Sequence, residues 1–166
     1  MSDELRIHAA FKAGDRETIE SAAGGEFPNC RAPFMSSPCL EYAIYHSPLA
    51  FIEALLALGA DPNYESETGS PSLIAALSTD REDKLQILDL LLSAGADVNQ
   101  RGLNDWTPLH YAAARDDAAS IELLVSRGAD LTARTRIDDL TTPLEEAEGL
   151  GRPAAVKALK QALRQE

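Results

Sequence analysis

Large rings are scarce in this chain. Four Phe, four Tyr and one Trp make 5 % of 166 residues, which argues against a β-sandwich built on aromatic packing. Bases are short as well: 15 Lys and Arg stand against 27 Asp and Glu, a formal charge of −12. That balance excludes a sequence-independent grip on a nucleic-acid backbone, which needs a basic surface. It equally disfavours an anionic membrane surface. No stretch approaches the ~20 apolar residues of a membrane span. The start, Met1 to His8, carries acids where a secretory signal needs bases, and no apolar run follows. No Asn-x-Ser/Thr sequon occurs. A cytoplasmic chain is expected. Cysteine is nearly absent too. Cys30 and Cys39 are too few for a disulfide framework and lack metal-binding spacing. They read as reduced thiols, with one disulfide as the alternative.

What is present is an ordinary apolar share of 45 %, enough for one folded domain. Charge is uneven. Residues 1–83 hold 14 acids and 5 bases, and residues 84–166 hold 13 acids and 10 bases. A basic partner would be steered to the first half.

Internal repetition decides the fold. Gly-Ala-Asp occurs at Gly59, Gly95 and Gly128, spaced 36 and 33 residues apart. A helical apolar run precedes each triplet: Phe51 to Leu56, Ile87 to Leu92, and Ile121 to Val125. Upstream of these lie Pro38-Cys-Leu-Glu-Tyr-Ala, Pro71-Ser-Leu-Ile-Ala-Ala and Thr107-Pro-Leu-His-Tyr-Ala. The second unit carries about three extra residues near Ser78–Lys84, because Pro71 to Gly95 spans 24 residues where the other two units span 21. Ile87, Leu88, Leu91 and Leu92 form one helical stripe. Thr107 and Pro108 suit a helix start. The triplet glycines suit a helix end in left-handed backbone, and the Asp and Asn after them suit a turn.

These residues resemble the ankyrin repeat. Thr107 to Ala113 matches its Thr-Pro-Leu-His-x-Ala-Ala signature, and Gly95 to Asn99 its closing Gly-Ala-Asp-x-Asn. Weaker units flank the regular three: Ile7 to Asp15 with Ile19 before them, and Thr142 to Ala147 with Val156, Leu159 and Leu163 after them. The resemblance implies an all-α ankyrin-repeat solenoid of helix-turn-helix units with hairpin-like finger loops. The units would fall at about 4–29, 30–63, 64–99, 100–132 and 133–166 of a single repeat domain. Three departures stand out. Asp105 and Asp116 replace the usual glycines of finger and inter-helix turn; Asp tolerates left-handed backbone, so these turns should survive with modest strain. Ser120 replaces an aliphatic residue and should loosen its layer.

Catalytic signatures are missing. No nucleophile elbow, phosphate loop, zinc-protease pair or calcium loop is present. Glu145 and Glu146 lie in a helical first turn, where the dipole favours acids without catalysis. His8 and His110 hold the signature's structural histidine position. His46 has no such equivalent and is expected at the surface. Asp80 to Asp83 reads as a solvated insertion. No enzyme activity, cofactor or metal is expected.

The resemblance implies protein recognition on a concave face made by fingers and first helices. The matching positions are Phe34, Met35, Tyr45, His46, Glu65, Glu67, Arg101, Leu103, Asn104, Trp106 and Arg115. Trp106, the sole tryptophan, is the foremost anchor, since tryptophan is enriched among binding hot spots. Glu65 and Glu67 would select basic groups. The expected protein is a monomeric, non-catalytic interaction module whose partner is another protein with a basic surface, not nucleic acid or membrane. An alternative is an acidic inhibitor or immunity-type protein that occludes a basic enzyme. A small-molecule binder would need a deep polar pocket with His46 in its wall.

Overall fold

The computed structural model describes residues 3–32, 37–64, 70–136 and 140–165. Ten α-helices follow one another in five pairs among these residues: α1 (Asp3–Ala13) with α2 (Arg16–Ala23), α3 (Cys39–His46) with α4 (Leu49–Ala57), α5 (Ser72–Leu77) with α6 (Lys84–Ser93), α7 (Pro108–Ala114) with α8 (Ala118–Ser126), and α9 (Pro143–Gly149) with α10 (Pro153–Ala162). The first helices α1, α3, α5, α7 and α9 stack in chain order, and α4, α6, α8 and α10 stack behind them. The fold is the all-α ankyrin solenoid.

Local chemistry explains the elements. Asp15 starts α2 by accepting from the Thr18 N–H (3.2 Å) and hydroxyl (2.7 Å). Asp117 starts α8 in the same way through Ser120 (3.1 and 2.8 Å). Each such cap satisfies free N–H groups of a helix start. Ser120 is fully buried, yet its hydroxyl belongs to this cap, so the layer gains a satisfied polar group where sequence suggested only a loss of packing. At the other end, Gly59, Gly95 and Gly128 leave their helices with φ of 91°, 94° and 87°, which side chains rarely tolerate.

The core is thin and aliphatic. Ile44, Ile52, Leu55, Leu73, Leu77, Ile87, Leu88, Leu91, Ile121, Leu124 and Leu159 are all but inaccessible. Fully burying one such side chain is worth about 1.5–3 kcal/mol. Among the described residues the ring contacts inside the core gather at the N-terminal end, where Phe11 lies edge-on to Tyr42 (4.8 Å between centroids) and Phe51 (6.0 Å), and Tyr64 is buried further along.

A polar ladder runs along the finger bases. The Asn29 side-chain amide donates to the Gly59 carbonyl (3.0 Å) and accepts from the Asp61 N–H (2.7 Å). Asn63 repeats both bonds to Gly95 and Asp97 (2.9 and 2.7 Å). Asn99 accepts from Asp130 N–H (2.9 Å). The next rung would need an amide where Thr132 stands.

The two aspartates at glycine positions do adopt left-handed backbone, with φ of 61° at Asp105 and 58° at Asp116. Each also makes bonds that glycine could not. Asp105 accepts from Arg101 (2.6 Å) and from the Arg136 N–H (2.8 Å). Asp116 accepts from the Ala155 N–H (2.8 Å), near the start of α10. On the far side of α9 and α10, Glu148 pairs with Lys160 (2.7 Å). By alignment of the signatures, Glu148 holds the register position of Leu77 and Ala113, which the next helix pair covers completely.

Three sequence expectations need correction. Cys30 and Cys39 are joined in a disulfide, with Cα atoms 5.8 Å apart. The chain turns back between them: the Cys39 N–H donates to the Cys30 carbonyl (2.9 Å) and the Ala32 N–H to the Ser37 carbonyl (2.8 Å). This return, invisible in the nine-residue spacing, brings the sulfurs together. The Asp80–Asp83 insertion is not simply solvated. Arg81 donates to the carbonyls of Ile44 (3.2 Å) and Ser47 (2.6 Å) at the end of α3, while Asp83 holds its guanidinium through two bonds (both 2.7 Å). Lys84 reaches the other way to Asp117, and Asp80 pairs with Arg115 (2.6 Å). Finally, His8 does not bond locally like His110; its Nδ1 meets the Tyr42 hydroxyl on the next helix pair (2.5 Å).

Candidate functional site

The α7 helix begins with a reciprocal cap. His110 Nδ1 accepts from the Thr107 N–H (3.3 Å) and lies 2.8 Å from the Thr107 hydroxyl. Its Nε2 donates to the Thr141 carbonyl (3.0 Å). Burial pushes the His110 pKa down, so the ring is neutral and serves as a strut, as its place in the signature implied.

That strut positions Trp106. The indole lies edge-on to Tyr111, 5.2 Å between centroids at 75°, and beside His110 at 6.2 Å. Both Trp106 and Tyr111 keep part of their surface in water. The Arg101 guanidinium is already engaged. It bonds the Asp105 carbonyl (2.8 Å), the Asp105 carboxylate (2.6 Å) and the Arg134 carbonyl (3.0 Å). Leu103 and Asn104 form the tip of the same finger, with Leu103 57 % exposed and Asn104 in left-handed backbone.

Across the α5 layer stands Tyr45, 37 % exposed. Burial and then the Glu41 charge push its pKa up. Beneath it, Tyr64 donates to the Ser70 carbonyl (3.3 Å), and burial, then Glu41, raises its pKa strongly. His46 is exposed but not isolated: its ring packs on Tyr42 (4.5 Å) and His8 (5.1 Å). Burial, then the His8 and Lys12 charges, lowers its pKa. Arg115, at the end of α7, is spent on Asp80 (2.6 Å).

The structure therefore groups Tyr45 with His46 on one side of α5 and Trp106 with Leu103 and Asn104 on the other. Tyr111, which sequence reasoning passed over, packs edge-on to Trp106. Its signal was available: it is the variable residue after the signature histidine. Phe34, Met35, Glu65 and Glu67 lie outside the described residues. No cluster of three or more His, Cys, Asp or Glu suited to a metal occurs among the described residues.

The repeat identity follows from comparison. The family profile for ankyrin repeats in three copies matches residues 73–164, more than half of the chain. The chain belongs to the ankyrin repeat family. Ankyrin repeats are protein–protein interaction modules. Among curated proteins the chain is similar to alpha-latroinsectotoxin-Lt1a of Latrodectus tredecimguttatus, 34 % identical over 76 % of this chain and 9 % of that protein. It is similar to an ankyrin repeat protein of fowlpox virus (strain NVSL), 43 % identical over 37 % of this chain and 9 % of that protein. It is also similar to the RelA-associated inhibitor of Mus musculus, 36 % identical over 53 % of this chain and 10 % of that protein. The chain spans about a tenth of the length of these relatives. No helix among the described residues is long and apolar enough to cross a membrane.

Proposed function

We propose that this ankyrin chain is a non-catalytic recognition module that docks a folded partner or peptide on the face carrying Tyr45, Tyr111, Trp106 and Leu103. One observation carries the reading: Tyr45 at the end of α3 and the Trp106–Tyr111 pair at the start of α7, on the two helices that pack against α5, keep aromatic surface in water. Rings of this kind bury much area with little entropy loss, and stacked repeats hold them in place before binding. The bases on this face are already matched by acids of the same chain, Arg101 by Asp105 and Arg115 by Asp80. The surplus of −12 is thus left to attract a partner with a basic surface rather than nucleic acid.

The five helix pairs support five repeat units, 4–29, 30–63, 64–99, 100–132 and 133–166, in one domain, which on this reading acts as a monomer. A disulfide fits an oxidising surrounding better than the cytoplasm.

The test is a lysate capture with wild type and with Trp106→Ala and Tyr45→Ala variants. Hot-spot truncation costs at least about 2 kcal/mol, roughly thirtyfold in affinity, so a partner held by wild type should drop out. An unchanged set of captured proteins would place the binding face elsewhere. If the partner is an enzyme whose activity falls on binding, and salt restores it, the inhibitor reading takes over.

A further inference from the structure

Two imidazoles from different helix pairs meet near the surface. His8 lies on α1, and His46 ends α3, the helix that packs against α1. Their ring centres are 5.1 Å apart, with the planes at 72°. His8 is half-buried and His46 exposed. The docking face built on Tyr45, Tyr111, Trp106 and Leu103 makes no use of this pair.

The separation is that of two ligands on one ion. A zinc–imidazole bond of about 2.0–2.1 Å puts the ring centre about 3.2 Å from the ion, and two such rings at the tetrahedral angle stand about 5.2 Å apart. Tyr42 fixes one of them. Its hydroxyl meets His8 Nδ1 (2.5 Å), which leaves Nε2 as the ligand atom. With an ion on Nε2, the ring proton sits on Nδ1 and is donated to the Tyr42 oxygen; such a bond orients a ligating imidazole and raises its basicity. Among the described residues neither His8 Nε2 nor either ring nitrogen of His46 makes a hydrogen bond. On α1, Glu4 stands one turn before His8 and Lys12 one turn after it, so one charge of each sign flanks the pair.

We propose that His8 and His46 form a binding site for a divalent transition ion of the zinc and copper class, held by His8 Nε2 and one ring nitrogen of His46. Imidazole suits these ions, whereas calcium and magnesium take oxygen ligands. His46, exposed and without a hydrogen bond, turns a nitrogen toward the ion, and Tyr42 keeps His8 in place. Water fills the remaining positions, so the ion enters and leaves reversibly. Because the two ligands belong to α1 and α3, the bound ion fastens the first helix pair to the second from outside the core.

The experiment uses the full chain with zinc chloride, and magnesium chloride as the control ion. Three histidines give three sets of imidazole proton resonances, and His110, fully buried, serves as the internal reference. Zinc should move the His8 and His46 resonances together, complete at one ion per chain, and leave His110 in place; magnesium should move none. No shift at millimolar zinc, or His8 and His46 shifting at separate zinc concentrations, would overturn the proposal. Loss of an orienting partner costs about 10–100-fold in metal affinity, and loss of a ligand at least as much. Calorimetry should therefore show zinc binding weakened about tenfold or more in His46→Asn, an exposed position whose replacement leaves the core intact. Wild-type affinity in that variant rules out the pair. Tyr42→Phe should weaken binding on the order of tenfold, and an unchanged affinity there removes Tyr42 from the site. Zinc should also slow hydrogen exchange in α1 of wild type but not of His46→Asn; slowing in both would place the ion elsewhere.

Discussion

The two ends of the stack are joined by different forces. Between the first two helix pairs the contact is marked by rings and one covalent bond: Phe11 on Tyr42 and Phe51, His8 on Tyr42 and His46, and Cys30 to Cys39. Between the last two pairs it is made of directed polar bonds. His110 reaches the Thr141 carbonyl, Asp116 the Ala155 N–H, and Asp105 the Arg136 N–H, while Thr142 and Glu145 cap α9 reciprocally. Directed bonds occur at both ends, since Asn29 and His8 bond across the first contact too, but among the described residues only there do rings and a disulfide join them. The polar end is the one that the family profile covers, from residue 73 onward. A shared signature describes hydrogen bonds well, because they need particular residues at particular positions. It describes ring packing poorly, because many shapes can fill the same space.

The comparison can be broken from the ring side first. Phe11→Ala removes a fully buried ring and should cost about 3–5 kcal/mol. Hydrogen exchange should rise in α1 and α2 while α9 and α10 keep their protection; a uniform rise across the chain would mean that the stack is one cooperative block. The polar end gives less. Thr142→Ala removes a cap that accepts from the Glu145 N–H (3.2 Å) and should cost about 1 kcal/mol, read as faster exchange in α9, with Thr142→Ser restoring most of it. An equal response in α3 would contradict the division. The smallest effect is expected from acid. The His46 pKa is lowered from 6.5 in the folded chain, so the unfolded chain binds the proton more readily. Stability is complete above about pH 6.5 and declines as pH falls through the folded value. The groups facing His46 are His8, Lys12, Tyr42 and Tyr45. In His46→Asn the acid-induced exchange of α1 should flatten, whereas that of α7, where His110 is lowered in the same direction, should persist. A profile for α1 unchanged by this substitution would assign the acid response to another group.

Much of this architecture is written in local sequence. The helix starts at Thr107 and Thr142, the glycine exits and the aliphatic stripes each depend on neighbours a few residues away, and all were legible. Asp105 and Asp116 were legible as left-handed residues, though not as donors' partners across 31 and 39 residues. What escaped depends on distant pairing. Arg81 looked like part of a solvated loop because its acceptors, the Ile44 and Ser47 carbonyls, lie 37 and 34 residues upstream. The cysteines looked reduced because only the finger's return joins them. Of the candidate surface, Trp106 and Tyr45 were visible as large residues at exposed register positions. Tyr111 was passed over, although its place after the signature histidine marked it. Nor did sequence show that Arg101 and Arg115 are already spent on acids.

The asparagine ladder has a further consequence. Asn29, Asn63 and Asn99 reach the N–H groups of Asp61, Asp97 and Asp130, which lie 32, 34 and 31 residues ahead. The chain lengths differ, yet the same pair of atoms meets each time. Alignment between neighbours is therefore gauged through space rather than by counting residues. Extra length, such as that near Ser78–Lys84, is absorbed outside the gauge. Loops in such an array are free to lengthen, shorten and diversify without putting the helices out of step.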